Sequence, residues 1–292
     1  MKISLICATY NRSTELEQLL KSLVAQTYKN FEIIVVDQNK NGLIDDICQS
    51  YIQQLDLIHI KSQRLGLSNN RNQGITAATG GILGFPDDDC TYYPDTLQNV
   101  ISYFATNPNT SLVYGKIYNR VMKKNIMRNW PVITTAVTNL YSIMLYSSSI
   151  VVFIVNNDIY FDKKFGVNEM YGALEDIDLC YSCFKDDAKL EYCPKIEVNH
   201  PEVSSNFLNC NKAYSYGRGW GAFFAKHLNP KNVPLFIGIL GYVVLLALRD
   251  IVLFRPTAKG RIYSIIGRLN GFYDYLINYR FHLCSRNCEK SH

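Results

Sequence analysis

Residues 85–90 read "FPDDDC", and three carboxylates in succession, Asp87, Asp88 and Asp89, follow a run of apolar and glycine residues. Side by side, their charges repel one another. A solvated turn tolerates that repulsion, and a divalent cation requires it. Carboxylate oxygens are hard ligands that suit Mn²⁺ or Mg²⁺, above all where a substrate's phosphates complete the coordination shell. Alternate residues of an extended segment share a face, so Asp87 and Asp89 can point together while Asp88 turns toward another group. A bound nucleoside diphosphate would offer phosphate oxygens and a ribose hydroxyl to those two faces. Taken alone, three aspartates serve a surface turn as well as a metal, so their neighbours decide.

Groups of this kind act together only if the elements carrying them end at one place. "ISLICA" is a compact apolar strand, and "STELEQLLKSLVAQ" carries Leu16, Leu19, Leu20, Leu23 and Val24 on one helical stripe, with Thr14 and Glu17 spaced as a capping box. "FEIIVVD" has the near-continuous apolar run of a parallel strand covered on both faces. A weaker helix near 43–54 leads to the strand "LDLIHI"; "LSNNRNQGITAAT" then reads as a helix and "GGILGF" as a strand. This rhythm implies an α/β fold, a Rossmann-like, mostly parallel, doubly wound sheet with right-handed crossovers. Ligands of such sheets bind beyond the carboxyl ends of the strands. Thr9-Tyr10-Asn11-Arg12 follows the first strand, Asp37 the second and Asp87-Asp88-Asp89 the fourth, so three polar clusters fall on one rim. Further on come a helix over about 92–106, a strand "SLVYGKI" and a stretch, 119–149, without a clear pattern. "SIVVFIV" is strand-like, "YGALEDIDLCYSCFK" has helical spacing, and "KLEYCP" and "KIEVNH" read as two short strands, the second ending at His200.

The segments "ICATYNR", "IIVVD", "GLSNNRNQGI", "FPDDDC" with "YYPD", and "YGALEDIDL" occur in that order. In this the sequence resembles the family 2 glycosyltransferases, inverting enzymes of the GT-A fold, over about residues 1–200. The resemblance implies that Thr9, Tyr10 and Arg12 hold the nucleotide, that Asp37 hydrogen-bonds its base (often uracil) and that Arg71 lies near it. It further implies that Asp87-Asp88-Asp89 is the metal and diphosphate motif, with Asp88 on the ribose and Asp89 on Mn²⁺ or Mg²⁺, and that the late His200 adds a metal ligand. Glu175-Asp176 matches the family's acidic pair, with Asp176 as the general base. Two departures stand out: Gly172-Ala173-Leu174 leads into the pair where a glycine-rich run is usual, and Tyr181, Ser182 and Cys183 stand where a basic residue is usual. The base has its own physical logic. Transfer with inversion needs a carboxylate to take the proton of an acceptor hydroxyl as it attacks the anomeric carbon. At a helix N-terminus the dipole would keep Asp176 ionised, while Asp178, two residues on, points elsewhere and ranks second.

At 292 residues, 48% hydrophobic and 19% charged, the chain can bury a large core. Its charge is uneven. Residues 206–292 carry 12 Lys and Arg against 3 Asp and Glu, whereas residues 1–205 carry 18 against 22. A basic end suggests nucleic acid or an anionic membrane; its apolar content points to the membrane and away from nucleic acid. "VPLFIGILGYVVLLAL" (233–248) has no charge, but 16 helical residues reach only about 24 Å of a roughly 30 Å hydrocarbon core. The last segment sets Ile262, Ile265, Ile266, Leu269, Phe272, Tyr273, Leu276 and Ile277 on one face beside Lys259, Arg261, Arg268 and Arg280, as in a helix lying in a bilayer interface. Packing on the rest of the chain, or on a second copy in a homodimer, is the plainer use of the same face. With Lys2 followed at once by a strand, no signal peptide is expected, and the nine cysteines suit a reducing cytoplasm. His282, Cys284, Cys288 and His292 fit no zinc-ligand spacing.

The expected organisation is a nucleotide-sugar half (1–110), an acceptor half with the base (111–205) and a membrane-associating helical region (206–292). The expected activity is transfer of a sugar from a nucleotide-diphosphate donor, a UDP-sugar first, to a glycan or lipid-linked acceptor at the cytoplasmic face of the cell membrane. A metal-dependent nucleotidyltransferase would need a glycine-rich basic loop after the first strand, and "ATYNRS" has no glycine. A non-catalytic membrane scaffold would not need Asp89 and Asp176.

Overall fold

The computed structural model describes residues 1–202 and 206–281, so the tail holding His282, Cys284, Cys288 and His292 lies outside the described residues. The chain divides into two compact units, Met1–Phe161 with Leu179–Val203 and Asp162–Asp178 with Ser204–His292.

Elements run in the order β1 (Ile3–Thr9), α1 (Ser13–Val24), β2 (Phe31–Asp37), α2 (Asp45–Tyr51), β3 (Leu57–Lys61), α3 (Leu67–Ala77), β4 (Ile82–Gly84), β5 (Thr91–Tyr92) and α4 (Thr96–Thr106). They continue with β6 (Leu112–Asn119), β7 (Lys124–Asn125), β8 (Thr135–Val137), α5 (Leu140–Tyr146), β9 (Val152–Val155), α6 (Glu175–Lys185) and β10 (Leu190–Asn199). The strands form one sheet, in the order β3-β2-β1-β4-β9-β6-β10-β5, with β7 beside β6 and β8 beside β10. The first four neighbours are parallel, β9 runs against both β4 and β6, and β10 is parallel to β6. Every residue of β2 is buried, as its unbroken apolar run requires. Register sets Thr9 beside Asp37 and Asp37 beside Lys61, so the strand ends form one rim. Helix α3 presses onto this sheet at Gly74, where a Cβ would stand 2.3 Å from Ile6 Cγ2.

Several local expectations are corrected. The Thr14–Glu17 capping box does not form, because α1 begins two residues earlier than a Thr14 cap requires, with Arg12 as N-cap and no side-chain cap bond. Residues 190–199 make one strand rather than two. Its register breaks between Tyr192 and Glu197, around Pro194, which has no N–H to give to the ladder. The unassigned 119–149 stretch holds two very short strands and α5, whose Asn139 and Ser142 form a capping box of their own. "SIVVFIV" opens as a 3₁₀ turn over Ser149–Val151 before β9.

The second unit contains the segment leading into α6 together with α7 (Cys210–Lys226), α8 (Val233–Val252) and α9 (Ala258–Tyr275), followed by a π-turn, Leu276–Phe281. Helices α7 and α9 pack backbone against backbone. A Cβ at Gly221 would stand 1.9 Å from the Arg268 carbonyl oxygen, and one at Gly271 would stand 2.1 Å from that of Arg218. Asp250, near the end of α8, is fully buried and accepts from Arg249, from Thr257 Oγ1 (2.5 Å) and from Arg261 Nε (2.6 Å). It ties α8 to the start of α9.

Candidate active site

In the first unit, the loops after β1 and β4 are joined by charge-assisted hydrogen bonds. Thr9 Oγ1 donates to Asp88 Oδ2 at 2.8 Å, and Arg12 Nη1 donates to Asp88 Oδ1 at 2.8 Å and Asp89 Oδ2 at 2.5 Å. Burial pushes the Asp88 carboxyl above its ordinary value, more than Thr9 and Arg12 can offset. For Asp89 the balance reverses: burial opposes ionisation, but His200 and Arg12 outweigh it and hold the carboxyl low.

Ligand atoms of Asp87, Asp89 and His200 lie within 4.8 Å of one another. His200 Nδ1 donates to the Pro201 carbonyl at 2.7 Å, which in the neutral ring leaves the lone pair on Nε2, 3.3 Å from Asp89 Oδ1. That oxygen is buried and has no hydrogen-bond partner among the described residues. Buried polar atoms are nearly always partnered. With the ring protonated the two groups form an ion pair: burial lowers the His200 pKa, but Asp89 and the Pro201 carbonyl outweigh it and raise it. With the ring neutral, a buried carboxylate oxygen facing an imidazole lone pair, the other ring nitrogen fixed by a carbonyl, fits a divalent cation. A second group, Asp37, Asp45 and His59, is also close-set, but Lys61 bonds both of its acids and already supplies the cation.

Asp37 is fully buried and accepts from the Asn39 N–H and Nδ2 (both 2.8 Å), from Lys61 Nζ (2.9 Å) and from His59 (3.1 Å). Burial works against its ionisation, and Lys61, Asn39 and His59 outweigh it and hold its pKa below the ordinary value. Arg71 is 1% exposed and donates to Asp87 Oδ1 (2.7 Å) and Ser149 Oγ (2.9 Å) beneath the Phe161 ring. The structure therefore gathers Thr9, Arg12, Arg71, Asp87, Asp88, Asp89 and His200, with Asp37 along the same rim, while the Tyr10 side chain stands exposed. Sequence reading missed Asn39, His59, Lys61 and Ser149. The Asp-x-Asn spacing of an Asx turn and the i, i+2 pair His59/Lys61 on one strand face carried the only available signal for three of them.

Glu175 and Asp176 open α6, in the part of the helix that belongs to the second unit. Leu174 before them takes φ 77°, which lets the chain enter the helix abruptly. Asp176 Oδ1 accepts from the Ile177 N–H at 2.8 Å and the residue is half-buried. Asp178 is placed differently. It is 2% exposed and bonds Lys226 Nζ and His227 Nε2, both at 2.7 Å, and Lys226 also bonds Asp162 at 2.8 Å. These partners anchor Asp178 in the first helical turn.

Residues 4–176 match the family model described as Glycosyl transferase family 2. An uncharacterized glycosyltransferase of Haemophilus influenzae is 26% identical over 227 residues, covering 74% of this chain and 76% of that protein. The glucosyl-dolichyl phosphate glucuronosyltransferase of Haloferax volcanii is 30% identical over 122 residues, 40% of this chain and 38% of the relative. Among solved structures, the mannosyltransferase of Pyrobaculum calidifontis in complex with GDP-Man and Mn²⁺ superposes with a TM-score of 0.62 at 15% identity, over 93% of this chain and 87% of that one. S. aureus TarS in complex with UDP-GlcNAc gives 0.57 at 19% identity, over 94% and 91%. Matched through more than half its length, and folded as GT-A proteins are, the chain belongs to glycosyltransferase family 2.

Proposed function

We propose that this glycosyltransferase moves a sugar, with inversion, from a nucleotide-diphosphate donor, a UDP-sugar first, to a glycan or lipid-linked saccharide. The observation that carries this reading is the buried Asp89 oxygen facing His200 Nε2 at the rim of a parallel sheet. Asp37 receives the base, Thr9, Tyr10, Arg12 and Arg71 the rest of the nucleotide, and Asp88 the ribose. Asp89 and His200, with Asp87 beside them, hold Mn²⁺ or Mg²⁺. When bound there, the cation supplies positive charge to the leaving diphosphate. Asp176, paired in the motif with Glu175, takes the proton of the acceptor hydroxyl as the hydroxyl oxygen bonds the anomeric carbon and the bond to the diphosphate breaks. In this reading residues 1–110 bind the donor, 111–205 present the acceptor and the base, and 206–292 hold the enzyme at the cytoplasmic face of the cell membrane.

The named ligands and substrates of the relatives support the classes chosen: UDP-GlcNAc and GDP-Man as bound donors, and a dolichyl phosphate-linked sugar in the Haloferax volcanii name. The deciding assay is hydrolysis and transfer from a panel of sugar nucleotides with Mn²⁺, wild type against Asp176→Asn. Turnover of one donor class, lost in the variant while donor binding persists, is the expected result. Equal turnover by the variant would remove Asp176 as the base.

A further inference from the structure

Helix α8 is 20 residues long and apolar enough to cross a membrane. Its neighbours say otherwise. It lies antiparallel to α9 along its length: Phe236 stacks on Phe272 at one end (5.2 Å between ring centroids, 10° between planes), and Asp250 binds Arg261 at the other. Helix α9 is in turn locked to α7 by the glycine contacts at Gly217, Gly221, Gly267 and Gly271. Standing α8 upright would take both partners to bilayer depth. They carry Lys212, the Arg218–Asp274 pair (2.9 Å) and Lys226 with its two aspartates. Charges held near the bilayer centre are costly and rare.

The outer face of α8 is nevertheless uncovered. Ile237, Tyr242, Leu245 and Leu248 are each more than half exposed, and a Cβ at Gly238 or Gly241 would meet nothing within 4 Å. At the turn into α9, Phe254 is 94% exposed. Arg249 and Arg255 flank this face with side chains half exposed, in a segment with nine more basic than acidic residues over 206–292. An apolar stripe bordered by cations complements an anionic lipid surface, where headgroup phosphates meet the arginines and acyl chains meet the stripe.

We infer that α8 and the α8–α9 turn form an in-plane membrane anchor, seated flat in the interface of an anionic bilayer with Phe254 at its leading edge, and that α8 does not span. This deepens the membrane-surface placement proposed above and is independent of donor and acceptor. The full-length protein is mixed with phosphatidylcholine vesicles with and without phosphatidylglycerol. Binding to the anionic vesicles that weakens with added salt is expected, as is a drop of about tenfold or more for Leu245→Glu with Leu248→Glu. Donor hydrolysis by that variant in solution should stay at the wild-type level, which separates failure of the anchor from failure of the glycosyltransferase reading. Ile237→Trp, Tyr242→Trp and Leu248→Trp, each made with Trp130→Phe and Trp220→Phe so that one indole remains, then report depth by brominated-lipid quenching. Equal, shallow quenching at all three supports the in-plane anchor, and deep quenching at 242 with shallow ends overturns it in favour of a span. Absence of vesicle binding together with a dimer that Leu245→Glu splits also overturns it, since a second copy would then cover the face.

Discussion

At the scale of single residues, Arg12 combines two roles that pull against each other. Its guanidinium neutralises Asp88 and Asp89 in the protein alone, yet the same acids are the proposed sites of ribose and metal. Arg12 is therefore an internal cation that an incoming divalent ion has to displace or share with. Arg12→Ala should tighten Mn²⁺ binding in the absence of nucleotide by about three- to tenfold, read by titration calorimetry, because two carboxylates lose a competing charge. Weaker binding would mean that Arg12 organises the acids instead. Donor affinity should move the other way, since the nucleotide loses a cation. Asp176 offers a cleaner contrast. Among the described residues its carboxylate accepts one close hydrogen bond, from the next residue's N–H, so Asp176→Asn should leave the fold and donor binding intact. Transfer should fall by about 10²–10⁴ in kcat, as for loss of a general base. The acids themselves were legible because each ends a strand, lies in the loop after one, or opens a helix. Their partners were not: Ser149, which reaches Arg71 from 78 residues away, has no local pattern to announce it.

Among the elements, β1, β2 and the run before β4 are held together at the end opposite the rim by one buried acid. Glu32 accepts from Lys2 Nζ (2.6 Å), Ser4 Oγ (2.5 Å) and the Thr79 N–H (2.7 Å). Burial opposes its ionisation, but Lys2, Ser4 and Thr79 outweigh it and bring its pKa to about 2. A carboxyl depressed in the folded state stabilises fully above its unfolded value of about 4.3, and that contribution fades as pH falls toward the folded value. Glu32→Gln should therefore cost on the order of 2 kcal/mol in urea unfolding at neutral pH and much less near pH 2–3. Glycine makes a second test on elements. Gly221→Ala drives a methyl into the Arg268 backbone and should destabilise by about 2 kcal/mol or more, whereas Gly238→Ala, in open space, should stabilise by up to about 1 kcal/mol. Thermal unfolding of the two variants reads the contrast. The α/β alternation could be read because buried parallel strands are apolar throughout. The 119–149 stretch could not, since strands of two or three residues at a sheet edge carry no period. The capping box at Thr14 failed because capping depends on backbone path, and Arg12 is drawn instead to the acids of a distant loop.

For the molecule as a whole, the charge asymmetry and the two compact units give stability a diagnostic use. Every residue assigned to base, ribose, diphosphate and metal lies in the first unit, while the proposed anchor lies in the second. A ligand that binds only the folded state stabilises it by RT ln(1 + [L]/Kd), about 2.7 kcal/mol at a hundredfold excess over Kd. For a unit of this size each kcal/mol corresponds to about 2–4 °C in Tm. The correct nucleotide with Mn²⁺ should thus raise Tm by about 5–10 °C, and UDP should do so more than GDP if Asp37 reads uracil. Without the metal the shift should shrink, and Asp89→Asn should make it independent of the metal. If the chain melts in two steps, only the step belonging to Met1–Phe161 with Leu179–Val203 should move with nucleotide, whereas anionic vesicles should move the other. A nucleotide shift unaffected by Mn²⁺ in the wild type would detach the Asp87–Asp89–His200 cluster from donor binding, even though its geometry suits a cation.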